Sequence, residues 1–242
     1  MLHRVHTDSD PPDLLDLYLS DDRSAIDRPW VMANMISSID GATAIDGRST
    51  GLGEDDDPQV FKAIRAVPDV ILVGAGTVAA EDYRPVVLDS ERRQRRTALG
   101  KAEVPTLAIV SGRLSVDPEA RVFSDPDHKP LIITGTQADP AKLVTIGDAA
   151  DIAILQSLDP ASILHHLGAA GVVLLEGGPT LNGQFAAAGL IDELNLTLRS
   201  AVAAGDSKRI TNGEAVKPLL EMNVDRVLQG DRALFIRYVI AS

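Results

Sequence analysis

Two glycine motifs each follow a hydrophobic run directly and could bind a phosphate group through the main chain. The first is Gly74-Ala75-Gly76-Thr77-Val78-Ala79, and the second is Glu176-Gly177-Gly178-Pro179-Thr180-Leu181. A glycine turn lets the backbone approach an anion closely, and a helix that starts there points its unbonded N–H groups at the same place. Both motifs therefore predict a site for the pyrophosphate of a dinucleotide.

The first motif fits the dinucleotide fingerprint G-x-G-x-x-A, but that fingerprint also needs an acidic residue about 20 residues further on. The corresponding stretch here is the basic run Arg92-Arg93-Gln94-Arg95-Arg96. A tight strand-to-helix turn that only glycine fits explains the motif equally well, and an ordinary Rossmann dehydrogenase remains open. The arginine run itself is more typical of a solvated helix face than of a nucleic-acid patch.

Charged side chains after two of the hydrophobic runs could contact a nucleotide. Glu176 is either a strand-end carboxylate beside the cofactor or an acid solvated in a loop. Arg113, in Ser111-Gly112-Arg113, could pair bidentately with the 2′-phosphate that distinguishes NADPH from NADH. Arg113 is therefore a candidate for coenzyme selection.

Polar residues also end the strand that begins near Trp30. The segment Ala33-Asn34-Met35-Ile36-Ser37-Ser38-Ile39-Asp40-Gly41 closes on an Asp-Gly pair, which favours a turn. Its polar side chains either line a substrate pocket or belong to a plain loop. The residues alone leave both interpretations open.

Two other kinds of catalytic site find little support. Gly47-Arg48-Ser49-Thr50-Gly51 matches the nucleophile elbow G-x-S-x-G, which needs a strand before the serine and a helix after it. The motif lies instead between Asp46 and an acidic glycine loop. The chain has no cysteine, and no histidine–carboxylate pair has a recognisable ligand spacing, so we predict no metal site.

The hydrophobic runs indicate an α/β fold. Four short runs rich in branched aliphatic residues are typical of central strands in a parallel sheet. Strand-then-helix alternation favours right-handed crossovers with helices on both faces, and alternating residues near the C-terminus favour antiparallel strands. The predicted strands are 70–73, 106–110, 131–134, 172–176, 194–198, 224–228 and 234–240, with one more from about residue 30. The predicted helices are 58–66, capped by Asp57, then 140–146, 160–170 and 180–188.

Composition favours one folded domain. The chain has 242 residues, of which 45% are hydrophobic and 24% charged, and it contains no low-complexity tract long enough to be a linker. We therefore predict a partly flexible N-terminal extension at 1–28 and one domain at 29–242. The net charge of -12 disfavours nucleic acid as a partner. Since we find neither a signal peptide nor an apolar run of membrane-spanning length, we expect a cytoplasmic protein that does not bind membranes.

Four segments, taken in order, resemble the reductase domain of riboflavin biosynthesis, the pyrimidine reductases that share the dihydrofolate-reductase-like fold. The resemblance runs from about Trp30 to Ile240. It is carried by Ser37-Ser38-Ile39-Asp40-Gly41, Asp69-Val70-Ile71-Leu72-Val73-Gly74-Ala75-Gly76-Thr77-Val78, Leu175-Glu176-Gly177-Gly178-Pro179-Thr180-Leu181 and Gly189-Leu190-Ile191-Asp192-Glu193-Leu194. The fold it implies has a mixed, mostly parallel central sheet, helices on both faces and antiparallel C-terminal strands.

The resemblance also implies a function: an NADPH-dependent oxidoreductase, working as a homodimer, that reduces 5-amino-6-(5-phosphoribosylamino)uracil to its ribitylamino product. With the candidates above, the predicted cofactor residues are Gly74, Gly76, Thr77, Ser111, Arg113, Gly177, Gly178, Pro179, Thr180 and Leu181. The predicted substrate residues are Asn34, Ser37, Asp40, Asp82 and Glu176. Asp82 and Glu176 are the nearest catalytic candidates, although hydride transfer depends on orientation more than on one dedicated side chain.

Two segments differ from the family pattern where the substrate should lie. Glu81-Asp82-Tyr83-Arg84-Pro85 stands where an Asp-Asn-Pro-x-Leu-like segment and a phosphate-binding arginine are usual, and Ser49-Thr50-Gly51-Leu52-Gly53 replaces a serine-lysine-tryptophan stretch. A pterin such as dihydrofolate is therefore an alternative substrate, and a non-catalytic NADPH-binding module is a further alternative. We expect only the reductase half, because the companion deaminase needs zinc-binding cysteines that this chain lacks.

Overall fold

One β-sheet organises the part of the chain that the structure describes. The structure is a computed structural model, and it describes residues 13–23, 27–53, 56–125, 127–168 and 170–241. The strands are β1 (Trp30–Ser38), β2 (Val70–Gly74), β3 (Thr106–Val110), β4 (Leu131–Gly135), β5 (Asp151–Leu155), β6 (Val172–Leu175), β7 (Glu193–Arg199), β8 (Met222–Gln229) and β9 (Ala233–Ile240). Their order across the sheet is β5-β4-β3-β2-β6-β1-β7-β9-β8.

Helices connect and cover these strands. They are α1 (Leu14–Leu19), α2 (Asp57–Arg65), α3 (Ala75–Ala80), α4 (Ser90–Ala98), α5 (Pro140–Ile146), α6 (Pro160–His166) and α7 (Pro179–Ala187). None of the helices in the described ranges is long and apolar enough to cross a lipid bilayer.

The sheet is parallel from β5 to β7 and antiparallel from β7 through β9 to β8. Alternate residues of the central strands enter two hydrophobic cores on opposite faces. Ile71 and Val73 of β2 lie in one core, and Leu72 lies in the other. The predicted mixed sheet, mostly parallel and buried on both faces, is therefore confirmed.

Several details differ from the sequence prediction, which also lacked helices α1 and α3. Strand β5 was not predicted, although it contains the short aliphatic run Ile152-Ala153-Ile154-Leu155; it lies at a sheet edge, and its side chains are half-buried or exposed. Helix α6 ends at His166, earlier than the predicted residue 170. Helix α2 begins at Asp57 after the N-cap Asp56, so Asp57 is not the cap; its carboxylate accepts a hydrogen bond from Thr197 instead.

The arginine run lies on α4, and one member departs from the predicted solvated face. Arg96 is fully buried and donates to the carbonyl oxygens of Ala66, Pro68 and Ala102 at 2.5 to 2.9 Å. Two of these carbonyls follow the last turn of α2, where backbone acceptors lack helical partners. Arg96 therefore fixes the end of α2 against α4.

The described part of the predicted extension packs on the sheet. Leu15 and Tyr18 of α1 are buried, and Tyr18 belongs to the core that also contains Met32 of β1. Residues 1–12 and 24–26 of the predicted extension lie outside the described ranges, whereas residues 27 and 28 lie within them. Helix α1 thus contributes to the same core as the domain.

A buried ion network joins this N-terminal segment to the sheet. Glu193, at the start of β7, accepts hydrogen bonds from Arg23 at 2.9 and 3.0 Å and from Arg237 at 3.0 Å. Trp30 and Asn195 also donate to its carboxylate. Burial by itself raises the pKa of Glu193, but the guanidinium groups of Arg23 and Arg237 lower it to about 2.

We predict that the network makes the fold sensitive to acid. The pKa of Glu193 is lower in the folded chain than in the unfolded one, so its contribution is complete above the unfolded value and is lost as pH falls towards about 2. Thermal unfolding followed from about pH 7 to about pH 3 should show a loss on the order of 2 to 3 kcal/mol from this group. The Glu193→Gln variant should be less stable near neutrality and should lose less stability on acidification. An unchanged slope in that variant would contradict the assignment.

Candidate functional site

A cleft of about 1860 Å³ opens where the central parallel strands end. Its walls include Asn34 to Ile36 of β1, the residues that follow β2, β3 and β6, and one side of α2. The carboxyl edge of an open α/β sheet is where such folds bind their ligands. Every residue predicted to contact the cofactor lines this cleft: Gly74, Gly76, Thr77, Ser111, Arg113, Gly177, Gly178, Pro179, Thr180 and Leu181.

The two glycine motifs meet at the floor of the cleft because β2 and β6 are neighbouring strands. The N–H of Gly74 donates to the carbonyl oxygen of Gly177 at 2.7 Å. A Cβ atom on Gly178 would lie 2.7 Å from Thr77 Oγ1, closer than side chains approach one another. The peptide bond between Gly177 and Gly178 is cis, and α7 begins at Pro179. The floor is therefore main chain, with the N-terminus of a nine-residue helix at its edge.

A free cation follows β3. Ser111 is buried and is held by its neighbours, since its Oγ accepts from the Ser115 N–H and its carbonyl oxygen accepts from the Thr134 hydroxyl. Arg113, two residues further on, is exposed and makes no hydrogen bond or ion pair with any residue that the structure describes. Its guanidinium is available to an anionic ligand.

Glu176 belongs to a three-residue unit in the wall of the cleft. Arg65 donates to both of its carboxylate oxygens, at 2.8 and 2.6 Å, and the Tyr83 hydroxyl donates to the same carboxylate. Arg65 also donates to Tyr83 Oη at 2.6 Å and lies over the ring of Phe61. Burial raises the pKa of Tyr83 well above its ordinary value, and the charge of Glu176 raises it further. Glu176 is therefore neither a free acid nor solvated in a loop.

Asp82 and Arg84 both line the cleft, but they differ in their partners. Asp82 has a positive φ of 50° and its carboxylate pairs with Arg121. Arg84 is exposed and has no ion-pair partner among the described side chains. Segment 81–85, which departs from the family pattern, thus presents to the cleft an aspartate that is paired with Arg121 and an arginine, Arg84, with no ion-pair partner among the described side chains.

The polar residues of β1 divide between the cleft and a structural role. Asn34 lines the cleft, whereas Ser37 is buried in the strand and Asp40 lies beyond it, outside the lining. Asp40 accepts hydrogen bonds from the N–H groups of Ala203 and Ala204. The hydroxyl of Ser38 and those two amides lower the pKa of Asp40 to about 2. Asp40 therefore fastens the segment 203–208, which forms part of the cleft wall, to the end of β1.

Sequence analysis missed one side of α2. Asp57, Phe61 and Arg65 recur at every fourth position, share one helix face and all line the cleft. Asp57 Oδ1 accepts from the Thr197 hydroxyl of β7 at 3.0 Å. Burial raises the pKa of Asp57, and the hydrogen bond from Thr197 offsets only part of that change. The i, i+4, i+8 spacing could have indicated this stripe, but Asp57 was interpreted only as the cap of the helix.

The segment Gly47-Arg48-Ser49-Thr50-Gly51, which matches G-x-S-x-G, does not form a nucleophile elbow. Ser49 begins a short 3-10 turn, and its N–H donates to Glu81 at 2.9 Å. No histidine lines the cleft among the described residues. Within the same ranges, no group of three or more histidine and carboxylate side chains could hold a metal ion.

Comparison with known proteins finds a matching family model and several similar proteins. The family model described as the RibD C-terminal domain matches residues 29–234. A protein of Archaeoglobus fulgidus named 2,5-diamino-6-ribosylamino-4(3H)-pyrimidinone 5′-phosphate reductase is 28% identical over 210 residues, which cover 84% of this chain and 95% of that protein. The riboflavin biosynthesis protein RibD of Mycobacterium tuberculosis is 31% identical over 191 residues, covering 76% of this chain and 47% of that protein.

Solved structures agree on the fold. A pyrimidine reductase-like protein of Corynebacterium diphtheriae has a TM-score of 0.83 at 24% identity, covering 95% of this chain and 99% of that one. Dihydrofolate reductase of Enterococcus faecalis has a TM-score of 0.52 at 14% identity, covering 88% of this chain and 97% of that one. The likeness to dihydrofolate reductase confirms the predicted fold.

The unit of Arg65, Tyr83 and Glu176 generates a prediction that needs no ligand. In the Glu176→Gln variant the pKa of Tyr83 should fall, because the carboxylate that disfavours tyrosinate is removed while the Arg65 cation that favours it remains. The fall is measured as tyrosinate absorbance that develops at lower pH during alkaline titration than in the unsubstituted chain. The Tyr83→Phe variant assigns the signal among the three tyrosines of the chain. A phenol that titrates equally late in both proteins would show that Glu176 does not control it.

Proposed function

The chain belongs to the RibD C-terminal domain family, and on that premise we propose that it is an NADPH-dependent reductase of a phosphorylated ribosylaminopyrimidine, whose ribosyl group it converts to a ribityl chain. The sequence resemblance pointed to 5-amino-6-(5-phosphoribosylamino)uracil, and the Archaeoglobus fulgidus relative is named for the 2,5-diamino pyrimidinone counterpart. Both compounds undergo the same reduction at the sugar, so the reaction class is common to them.

The observation that carries the proposal is the convergence of both glycine motifs on one floor of main chain. A side chain at position 178 would meet Thr77 at 2.7 Å, so the glycine keeps open the space in front of the α7 N-terminus. Backbone N–H groups at such a helix end favour the pyrophosphate of a dinucleotide. Thr180 and Leu181, in the first turn of α7, line the same space. These residues fit NADPH, whose 2′-phosphate would be held by Arg113.

The rest of the cleft offers separate contacts for a second molecule. Asn34 and the α2 residues Asp57 and Phe61 present polar and aromatic surface on the side of β1 and β7. Arg84 and Lys208 are exposed, line the cleft and make no ion pair with a described residue, so either can meet the phosphate of the substrate. The cleft therefore has room and charge for both a dinucleotide and a phosphorylated ribosylaminopyrimidine.

Catalysis in this scheme depends on orientation. When bound, a reduced nicotinamide would supply the hydride needed at C1′ of the ribosyl group, and the ring oxygen released from C1′ would take its proton from solvent. The main chain at 177–181 would hold the pyrophosphate, and the unit of Arg65, Tyr83 and Glu176 would keep the wall between the two ligands rigid. Fixing the two reactants in line is the contribution that this arrangement supports.

We expect purified protein to oxidise NADPH only when a phosphorylated ribosylaminopyrimidine is added, with the ribityl product identified by mass spectrometry. The uracil and 2,5-diamino pyrimidinone forms should be assayed in parallel with dihydrofolate, since the fold is shared with dihydrofolate reductase. Turnover of dihydrofolate alone would favour the pterin alternative. Tight NADPH binding without turnover of any of the three would favour a non-catalytic NADPH-binding module.

Coenzyme choice should depend on Arg113. A charge-assisted hydrogen bond to a phosphate contributes about 1.5 to 3 kcal/mol, so Arg113→Ala should raise the Kd for NADPH by roughly 10- to 100-fold. The Kd for NADH should stay within about twofold, because NADH has no 2′-phosphate for this side chain to lose. Fluorescence titration with NADPH and NADH measures the ratio of the two Kd values. The Arg113→Lys variant should recover part of the preference for NADPH. Equal weakening for both dinucleotides would assign Arg113 a role outside phosphate recognition.

A further inference from the structure

The cleft-lining stripe of α2 runs from Asp57 to the ion pair at Glu176. Asp57 and Arg65 are eight positions apart, which is about 12 Å along a helix axis. Arg65 holds Glu176, whose next residue is Gly177 of the predicted pyrophosphate floor. Phe61 lies between the two charged residues on the same face. A planar heterocycle with an attached sugar fits along this stripe, with one edge at Asp57.

Asp57 has no cationic partner among the described residues. Its Oδ1 accepts one hydrogen bond, from Thr197 Oγ1 at 3.0 Å, and no described residue donates a hydrogen bond to Oδ2. Burial raises the pKa of Asp57, and the hydrogen bond from Thr197 lowers it, whereas no described cationic side chain contributes. The nearest cation on the same face is Arg65, which is already bound to Glu176. A half-buried carboxylate in this state is stabilised by a ligand that donates hydrogen bonds.

Thr197 adds to the need for a ligand that donates hydrogen bonds. It is 6% exposed and lies on β7 opposite Ile36 of β1, which also lines the cleft. Its hydroxyl hydrogen is directed to Asp57, so its remaining capacity towards the cleft is that of an acceptor. The pair therefore presents lone pairs to a ligand and has no donor of its own to offer it.

On the premise of the proposed function, we propose that Asp57 and Thr197 bind the edge of the substrate's heterocycle and select a 2-amino-4-oxopyrimidine, which presents a ring N–H and an adjacent amino group. The carboxylate accepts both hydrogen bonds side by side. The uracil counterpart has a carbonyl oxygen in place of the amino group, and that oxygen would face the carboxylate without a proton between them. The subsite thus distinguishes two substrates whose sugar and phosphate are identical.

Selection of the 2-amino compound also determines the order of two reactions, the reduction at C1′ and the removal of the 2-amino group. The ribityl product retains its 2-amino group, because the reduction changes bonds at C1′ alone. A hydrolytic deamination that replaces the amine with an oxo group must therefore act on the product of this enzyme and cannot supply its substrate.

The test compares kcat/KM for the two phosphorylated ribosylaminopyrimidines, the 2,5-diamino pyrimidinone and the aminouracil, in the natural chain and in Asp57→Asn. A correctly paired bidentate contact discriminates by about 10- to 100-fold, so the natural chain should prefer the diamino compound by that factor. An asparagine amide offers one acceptor and one donor, so the variant should lose this preference or reverse it in favour of the uracil. Its NADPH affinity should not change.

Two further variants separate recognition from folding. Asp56→Asn alters the preceding carboxylate, which is outside the cleft lining and makes no capping hydrogen bond, so the preference should be retained. Thr197→Val keeps the side-chain shape, leaves Asp57 in place and should reduce the preference by roughly 3- to 10-fold. Thermal midpoints of all the variants show whether each protein is folded.

The possible outcomes distinguish this inference from the proposed function. Turnover of both compounds with the same ratio in the natural chain and in folded Asp57→Asn overturns the role of Asp57 and leaves the reductase function standing. Absence of turnover removes the proposed function, and calorimetric titration of the two compounds then decides the inference separately. Tighter binding of the diamino compound that disappears in Asp57→Asn supports the subsite, and equal binding overturns it.

Discussion

The cleft depends on the close approach of two main-chain loops at the ends of β2 and β6. These strands are neighbours, and the Gly74 N–H donates to the Gly177 carbonyl oxygen at 2.7 Å. A Cβ atom on Gly178 would require Thr77 or the loop to move, and Gly177 has a φ of +93°, a conformation that other residues rarely adopt. Because both loops must reach the same point, the floor consists of backbone polar groups, and the side chains that distinguish ligands stand around it.

Charge is distributed unevenly along this floor. Arg113 follows β3, whereas Asp57 meets Thr197 on β7, and the two strands are four spacings apart in the sheet, which is about 19 Å. Between them, Arg65 and Glu176 neutralise each other. A cation thus lies near one end, a carboxylate with no counter-ion among the described residues lies near the other, and a neutral pair lies in the middle. Such an arrangement orients ligands, since an anionic group and a group rich in hydrogen-bond donors are favoured at opposite ends.

Local patterns in the sequence were sufficient for eight of the nine described strands and for the positions of the two glycine motifs after β2 and β6. Strands buried on both faces give continuous aliphatic runs such as 70–73, and glycine motifs directly after them mark the ends of β2 and β6. The substrate side was harder, because its contacts join distant positions: Arg65 and Glu176 are 111 residues apart, and Asp57 and Thr197 are 140 apart. No local pattern encodes such pairs. Asp40 shows the same difficulty, since its Asp-Gly context fits a pocket or a turn, and only the fold reveals that it binds the amides of Ala203 and Ala204.

Sequence analysis named Glu176 and Asp82 as catalytic candidates. The residues that pair with each carboxylate limit the chemistry that it can perform. Glu176 accepts hydrogen bonds from Arg65 and Tyr83, and the carboxylate of Asp82 is paired with Arg121. To act as a base, either carboxylate would have to give up a charged partner, and for the half-buried Glu176 that loss costs several kcal/mol, on the order of 3 to 5. Both acids are thus better suited to positioning than to proton transfer. A reaction in which the cofactor supplies the hydride places the same demand on the protein, because its rate depends on holding two reactants in line more than on a free base.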